Sequence, residues 1–97
     1  MALIDTGSGR SIIQHDVAEE LGLNAVGSVQ IDTPSSTDMR VMEYWVRFSF
    51  DPASSVQVKV IEAPLQVRSV RALIGRDLLA GGRLVYNGRH GEFTLEL

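Results

Sequence analysis

One carboxylate stands out for its setting. Asp5 follows the apolar run Ala2-Leu3-Ile4 and precedes Thr6-Gly7-Ser8, so it ends a buried strand where the chain must turn sharply at Gly7. A carboxylate held in such a place can serve as a general acid or base. By itself Asp5-Thr6-Gly7 is weak evidence, because aspartates at strand ends are usually turn or cap residues. Its weight rises with a second segment far down the chain, Val70-Arg71-Ala72-Leu73-Ile74-Gly75-Arg76-Asp77-Leu78-Leu79, in which an apolar strand runs into glycine and then into a short helix.

Other reactive side chains make weaker claims. Ser8 and Ser11 raise the idea of a serine hydrolase, but there is no Gly-x-Ser-x-Gly elbow and neither histidine has a visible relay partner. His15 lies beside a helix cap and His90 in a glycine-flanked turn, neither in ligand spacing with another donor, so no metal is expected. Cysteine is absent, which excludes thiolate zinc sites, a thiol nucleophile and disulfides, and leaves the compartment undetermined. No Gly-Lys-Ser or Gly-Lys-Thr follows a glycine-rich turn, so no nucleotide is implied. The reading requires no cofactor.

The elements that must position Asp5 are mostly short strands. Val56-Gln57-Val58-Lys59-Val60 alternates with the two-residue period of a half-buried strand. In residues 44–50, Tyr44, Val46, Phe48 and Phe50 share one face, and Trp45, Arg47 and Ser49 the other. Core packing is the favoured reading for both Tyr44 and Trp45. Leu84-Val85-Tyr86 and the strand over 92–97 flank Asn87-Gly88 and Gly91, which predicts a terminal hairpin. A short helix is expected over 16–21, with Asp16 as cap, Glu19 completing a capping box and Gly22 ending it. A second is expected over 76–80, stopped by Gly81-Gly82. Residues 34–38 and 51–54 read as turns between strands. With no internal repeat and no linker, the 97 residues are expected to form a single, compact, mainly antiparallel β domain with one or two helical turns.

Together, the Asp5-Thr6-Gly7-Ser8 loop and Leu73-Ile74-Gly75-Arg76-Asp77 resemble the retropepsin-like aspartic proteases, specifically the cellular and bacterial branch. Ser8, where retroviral members usually carry alanine, and the Thr33-Pro34-Ser35 turn, where retroviral flaps are glycine-rich, point to that branch. The resemblance spans nearly the whole chain and implies a half-barrel of mainly β structure, built to homodimerise, with a flap hairpin over 31–39.

Such enzymes hydrolyse peptide bonds with two carboxylates facing one water, one ionised and one protonated. The chain offers one such loop, so the second Asp5 is expected from an identical chain across a two-fold axis. The resemblance further implies that the Thr6 hydroxyls bond across the dimer, that Gly7 contacts substrate, and that Ser8 hydrogen-bonds the outer carboxylate oxygen of Asp5. Ile74, Gly75, Arg76 and Asp77 form the structural motif beside the loop. An extended polypeptide substrate is expected between the acidic floor and the flap. Ile12, Ile31 and Leu73 are candidate walls, with plain core packing the favoured reading of each. Arg71 is either a cleft residue favouring acidic side chains or a solvated surface arginine.

Two departures from the family pattern stand out. Members carry a strand and hairpin ahead of the acidic loop, where this chain has only residues 1–4, and the expectation is that the chain lacks them. Gly9 stands where retroviral members carry an acidic partner of the arginine, so either Arg76 finds another partner or Asp77 takes part. The alternative to an endopeptidase is a catalytically inactive dimerisation or peptide-binding module of the same fold. Nine basic and twelve acidic residues are interspersed at a net charge of -3, so nothing builds the positive field that nucleic acid requires. No apolar run approaches the roughly 20 residues of a membrane-spanning helix.

Overall fold

The computed structural model describes residues 1–33, 36–51, 53–65 and 69–97. Ten elements follow in order: β1 (Ala2–Ile4), β2 (Ile12–Ile13), α1 (His15–Glu20), β3 (Gly27–Thr33), β4 (Ser36–Asp51), β5 (Ser54–Glu62), β6 (Ala72–Ile74), α2 (Arg76–Leu79), β7 (Arg83–Asn87) and β8 (Glu92–Glu96). The first six strands make a curled half-barrel sheet in the order β1-β6-β2-β5-β4-β3, and β7 and β8 pair separately. The fold is the mainly β, retropepsin-like half-barrel that the sequence implies.

The curl comes from β4, a 16-residue strand with two partners in succession. Its first half pairs antiparallel with β3, from Gly27↔Glu43 to Thr33↔Ser36. Its second half pairs with β5, from Glu43↔Ile61 to Asp51↔Ser54. Glu43 is the one position common to both ladders, the pivot between the β3–β4 hairpin and the β4–β5 hairpin. The β3–β4 hairpin occupies the expected flap position, and its tip, Pro34 and Ser35, lies outside the described residues. Ser36, Thr37 and Asp38, read from composition as turn, belong to β4, because cross-strand pairing overrides a weak local preference.

Near the acidic loop the pairing is mixed. β1 runs parallel to β6, with Ala2↔Ala72, Leu3↔Leu73 and Ile4↔Ile74. β2 pairs antiparallel with β6 through Ile12↔Leu73 and parallel with β5 through Ile12↔Ile61. Because side chains alternate across a sheet, the register assigns each residue to a face. One face carries Ala72, Ile13, Val60, Tyr44, Val58, Val46 and Phe48. Ile13, Ala18 of α1, Tyr44 and Val60 are its buried centre, with Val17 and Leu23 packed against it. Each such aliphatic side chain contributes on the order of 1.5–3 kcal/mol when fully buried.

Alternation along β4 and β5 is as expected, with one correction. Tyr44 is buried, but Trp45 lies on the opposite face, 48% exposed, with the Lys59 ammonium 5.5 Å from its ring centre. The period of two that buries Tyr44 forces its neighbour out. A second correction concerns α1, which begins one residue earlier. Gln14 is its cap residue and no side chain caps it. Asp16 lies in the first turn instead, where a carboxylate still favours the helix dipole. The helix does end at Gly22, whose φ of +66° is a left-handed conformation that favours glycine. α2 and the terminal hairpin form where expected. Within that hairpin Gly91, not Gly88, takes positive φ.

Candidate active site

Asp5 follows the last residue of β1 and is half-buried. Its N–H continues the parallel ladder by donating to the Ile74 carbonyl at 2.9 Å, so the backbone carrying the carboxylate is fixed to β6. Beyond it the chain turns. Ser8 N–H donates to the Asp5 carbonyl at 3.2 Å, and Gly7 N–H donates to Asp5 Oδ1 at 2.9 Å. A backbone N–H bonded to one carboxylate oxygen fixes the orientation of the group.

The loop is held from the far side by the Gly75-Arg76-Asp77 motif. Arg76 donates from its backbone N–H to the Ser8 carbonyl and from Nη1 to the Thr6 carbonyl, both at 2.8 Å. Asp77 takes Ser11 in a two-point grip, accepting Ser11 N–H at Oδ2 (2.9 Å) and the Ser11 hydroxyl at Oδ1 (2.7 Å). Its Oδ1 also accepts Leu78 N–H at 2.8 Å, and Ser11 Oγ accepts Gly75 N–H at 3.0 Å. Ser11 is fully buried. This explains its presence without nucleophilic chemistry: its hydroxyl is committed as both donor and acceptor.

Gly75 is a matter of space. A Cβ at this position would lie 2.5 Å from the Arg10 carbonyl oxygen and 2.9 Å from that of Ser8. Only glycine lets the two segments approach this closely. The departure at Gly9 also has an account. A Cβ there would sit 3.5 Å from Arg76 Nη2, so the family's acidic side chain would meet the guanidinium. Here Arg76 bonds the Thr6 carbonyl, and Asp77 supplies the carboxylate link between the segments through Ser11.

Two expected roles are not what the geometry gives. The Ser8 hydroxyl donates to the Arg10 carbonyl at 2.7 Å, closing its own turn rather than bonding the Asp5 carboxylate. Arg71 precedes β6 at the end remote from Asp5: its N–H bonds the Met1 carbonyl, four residues before Asp5 on the neighbouring strand. Its guanidinium reaches α1, at 2.7 Å from Glu20 and 3.8 Å from Asp16. The bond to Glu20 shifts the guanidinium upward from its ordinary value. Arg71 docks the exposed side of α1, the solvated-arginine reading with partners added.

The three apolar candidates do come together by register. Leu3, Leu73, Ile12, Ile61 and Glu43 form one cross-strand row on the face opposite the Tyr44 core. Ile31, two pairs of residues from Gly27 along β3, shares that face. Ile12, Leu73 and Ile31 are all half-buried. Lying over the row is a group that sequence reading missed. Arg10 Nη2 is 2.9 Å from Glu43 Oε2 and donates to the Lys59 carbonyl at 2.9 Å. Arg10 carries no local signal, and Glu43 is 33 residues away, so only the pairing of β2 with β5 could reveal the contact.

At the outer edge of the sheet, β1 faces the terminal hairpin across a cavity of about 540 Å³. Ala2, Leu3, Ile4 and Thr6 line one side, and Leu84, Tyr86 and Phe93 the other. Tyr86 and Phe93 are 72% and 61% exposed. His15 and His90 are exposed, and among the described residues no group of three or more histidine, aspartate or glutamate side chains could hold a metal ion.

A short acidic turn fixed to an apolar-apolar-glycine strand and braced by an arginine and a carboxylate defines a class of hydrolase. Residues 1–78 match the model of the aspartyl protease family, and the chain belongs to that family, in its retropepsin-like clan. No curated protein matches it.

Proposed function

We propose that the chain is an aspartic endopeptidase that hydrolyses peptide bonds through a water held between Asp5 and the Asp5 of a second, identical chain. The observation that carries this reading is the Asp5 loop itself. Its carboxylate is oriented by Gly7 N–H, its backbone is tied to Ile74, and its turn is braced by Arg76 and, through Ser11, by Asp77. That much rigidity around one carboxylate suits a group that must face its twin at fixed distance.

The reaction assigns each part a role. One Asp5 is ionised and takes a proton from the water as it attacks the carbonyl carbon. The other is protonated and gives its proton to the carbonyl oxygen, forming the tetrahedral intermediate. Collapse breaks the C–N bond: the Asp5 that took the water's proton gives it to the leaving nitrogen, and the other Asp5 takes back a hydroxyl proton as the new carboxylic acid forms. The Thr6 hydroxyls, exposed in the single chain, would bond across the two-fold axis and hold the loops together. Gly7 would contact the substrate backbone, and Ile12, Ile31 and Leu73 would wall the cleft on the face they share.

The dimer follows from one acidic loop per chain, and an apolar surface suited to it adjoins that loop. Leu3, Tyr86 and Phe93 are exposed around the cavity beside Thr6. The terminal hairpin would belong to the same single domain, spanning residues 1–97, because it completes this surface.

The test is cleavage of an unstructured peptide by the wild-type chain and by Asp5→Asn. Loss of at least about a hundredfold in rate, a bell-shaped optimum at acidic to mildly acidic pH, and stoichiometric titration by a statine-type inhibitor are expected. A folded dimer that binds the inhibitor but cleaves no faster than Asp5→Asn would instead identify an inactive peptide-binding module.

A further inference from the structure

The charge on the sheet is sorted by face. On the α1 side, Arg71 is met by Asp16 and Glu20, and Glu62 accepts the Tyr44 hydroxyl. On the opposite face, which carries Ile12, Ile31 and Leu73, the β4–β5 register brings Arg47 and Lys59 together with Trp45, and Arg10 is laid over the same strands. The only carboxylate among the described residues of β4 and β5 on that face is Glu43, which pairs with Arg10. Arg10, Arg47 and Lys59 against Glu43 leave the β4–β5 part of this face positive, although the whole chain carries a net charge of -3.

We propose that Arg10 and Lys59 select substrates with an acidic side chain within about six residues of the cleaved bond, a specificity that rests on the peptidase reading above. Arg10 is suited to it by position. It leaves the acidic loop five residues after Asp5 and ends at Glu43, the pivot between flap hairpin and β4–β5 hairpin. The row from Leu3 to Glu43 crosses five strands, at most about 19 Å at ordinary strand spacing, so an extended chain starting over Asp5 reaches Arg10 within about six residues.

Arg10 is also suited by its bonding. Among the described residues it bonds through Nη2 alone, and its side chain is 37% exposed while Glu43 is 13% exposed. The guanidinium fork can therefore take a second carboxylate from the cleft side, with Glu43 holding it in place from beneath. Lys59, exposed above Trp45, adds a second positive charge on the same residue whose carbonyl Arg10 grips. By two-fold symmetry a homodimer would carry one such site on each side of the cleaved bond.

The experiment uses one unstructured peptide cleaved by the wild type, resynthesised with Glu, Gln or Lys at each position near the cleaved bond. The same set is made as non-cleavable statine analogues, whose binding is read from Trp45, the chain's single tryptophan. At one position or more, Glu is expected to exceed Gln by about tenfold in kcat/KM and in affinity. That ratio should shrink at high salt, where surface charge is screened. Arg10→Gln should bring the Glu-to-Gln ratio to within about twofold of one, and Lys59→Gln, an exposed change that spares the fold, should lower it about threefold. A ratio near one in the wild type, or a wild-type ratio that survives both substitutions, overturns the proposal. So does an Arg10→Gln variant that slows every peptide equally, since that marks a positioning role. Cleavage without charge preference sinks this inference alone. Charge-selective binding without cleavage sinks the peptidase reading alone.

Discussion

The acidic loop and the terminal hairpin sit on either side of one cavity and could hardly be held more differently. Around Asp5, nearly every polar group that the turn exposes has a partner within the chain: Thr6 and Ser8 carbonyls with Arg76, Ser11 with Asp77 and Gly75, Gly7 with Asp5 itself. The hairpin β7–β8 is joined by its own ladder, and it holds Tyr86 and Phe93 mostly in solvent. The difference teaches which part folding finishes and which part the single chain leaves in solvent. A loop that must hold a carboxylate still is complete in one chain, whereas exposed aromatic surface of this kind marks an interaction site.

The sharpest way to break that comparison is at Gly75. Gly75→Ala forces a Cβ against the Arg10 and Ser8 carbonyls, both backbone atoms that cannot swing aside. A loss of about 3 kcal/mol or more in unfolding free energy is expected, read by urea denaturation. A loss under about 1 kcal/mol would show that the loop and motif are less rigidly joined than their hydrogen bonds indicate. Next comes Asp77→Ala, which strips Ser11 N–H and hydroxyl of their acceptor while Ser11 stays buried. A loss of about 2–3 kcal/mol is expected, with Asp77→Asn partly restoring it because one oxygen remains to accept.

Those two residues also mark how much could be read from the sequence. The motif around Gly75 and the Asp5 loop were legible because each packs a strand end, a glycine and a charge into a few adjacent positions. The alternating faces of β4 and β5 were legible for the same local reason, down to the opposite facing of Tyr44 and Trp45. Placing Trp45 in the core was an error of prior, aromatic size outweighing the parity that the same pattern supplied. What could not be read was pairing at long range. Ser11 looked like a spare hydroxyl until Asp77, 66 residues on, was brought beside it. Arg71 could be a cleft residue or a solvated surface arginine until β1 set it at the far end of β6 from Asp5. Arg10 and Glu43 said nothing separately.

A change in the hairpin should behave in the opposite way to those in the loop. Phe93→Ser or Tyr86→Ser removes apolar surface that the single chain leaves exposed, so monomer stability should move by less than about 0.5 kcal/mol. The dissociation constant of the proposed dimer should rise about tenfold or more, equivalent to about 1.4 kcal/mol. Sedimentation at several concentrations reads the second quantity, and denaturation at the lowest concentration reads the first. If both substitutions unfold the monomer, the hairpin is part of the finished core and the contrast with the loop disappears.

The smallest effect lies at Tyr44, a polar group buried under α1 on the side of the sheet that folding completes. Burial, and then its hydrogen bond to Glu62 at 3.2 Å, raise the Tyr44 hydroxyl above its ordinary value of 10.0. A group whose pKa is raised on folding binds its proton more tightly in the folded chain. Its contribution is therefore fully present below pH 10.0 and is lost as the pH climbs from there through the folded value, because the unfolded chain ionises first. Tyr44→Phe should cost about 0.5–1 kcal/mol at neutral pH, the net worth of one hydrogen bond. Above about pH 10 the variant should lose stability less steeply than the wild type, so the two denaturation midpoints converge. Parallel curves through that range would mean that the hydroxyl is solvated in the folded chain, and that the core face is less sealed than the loop it supports.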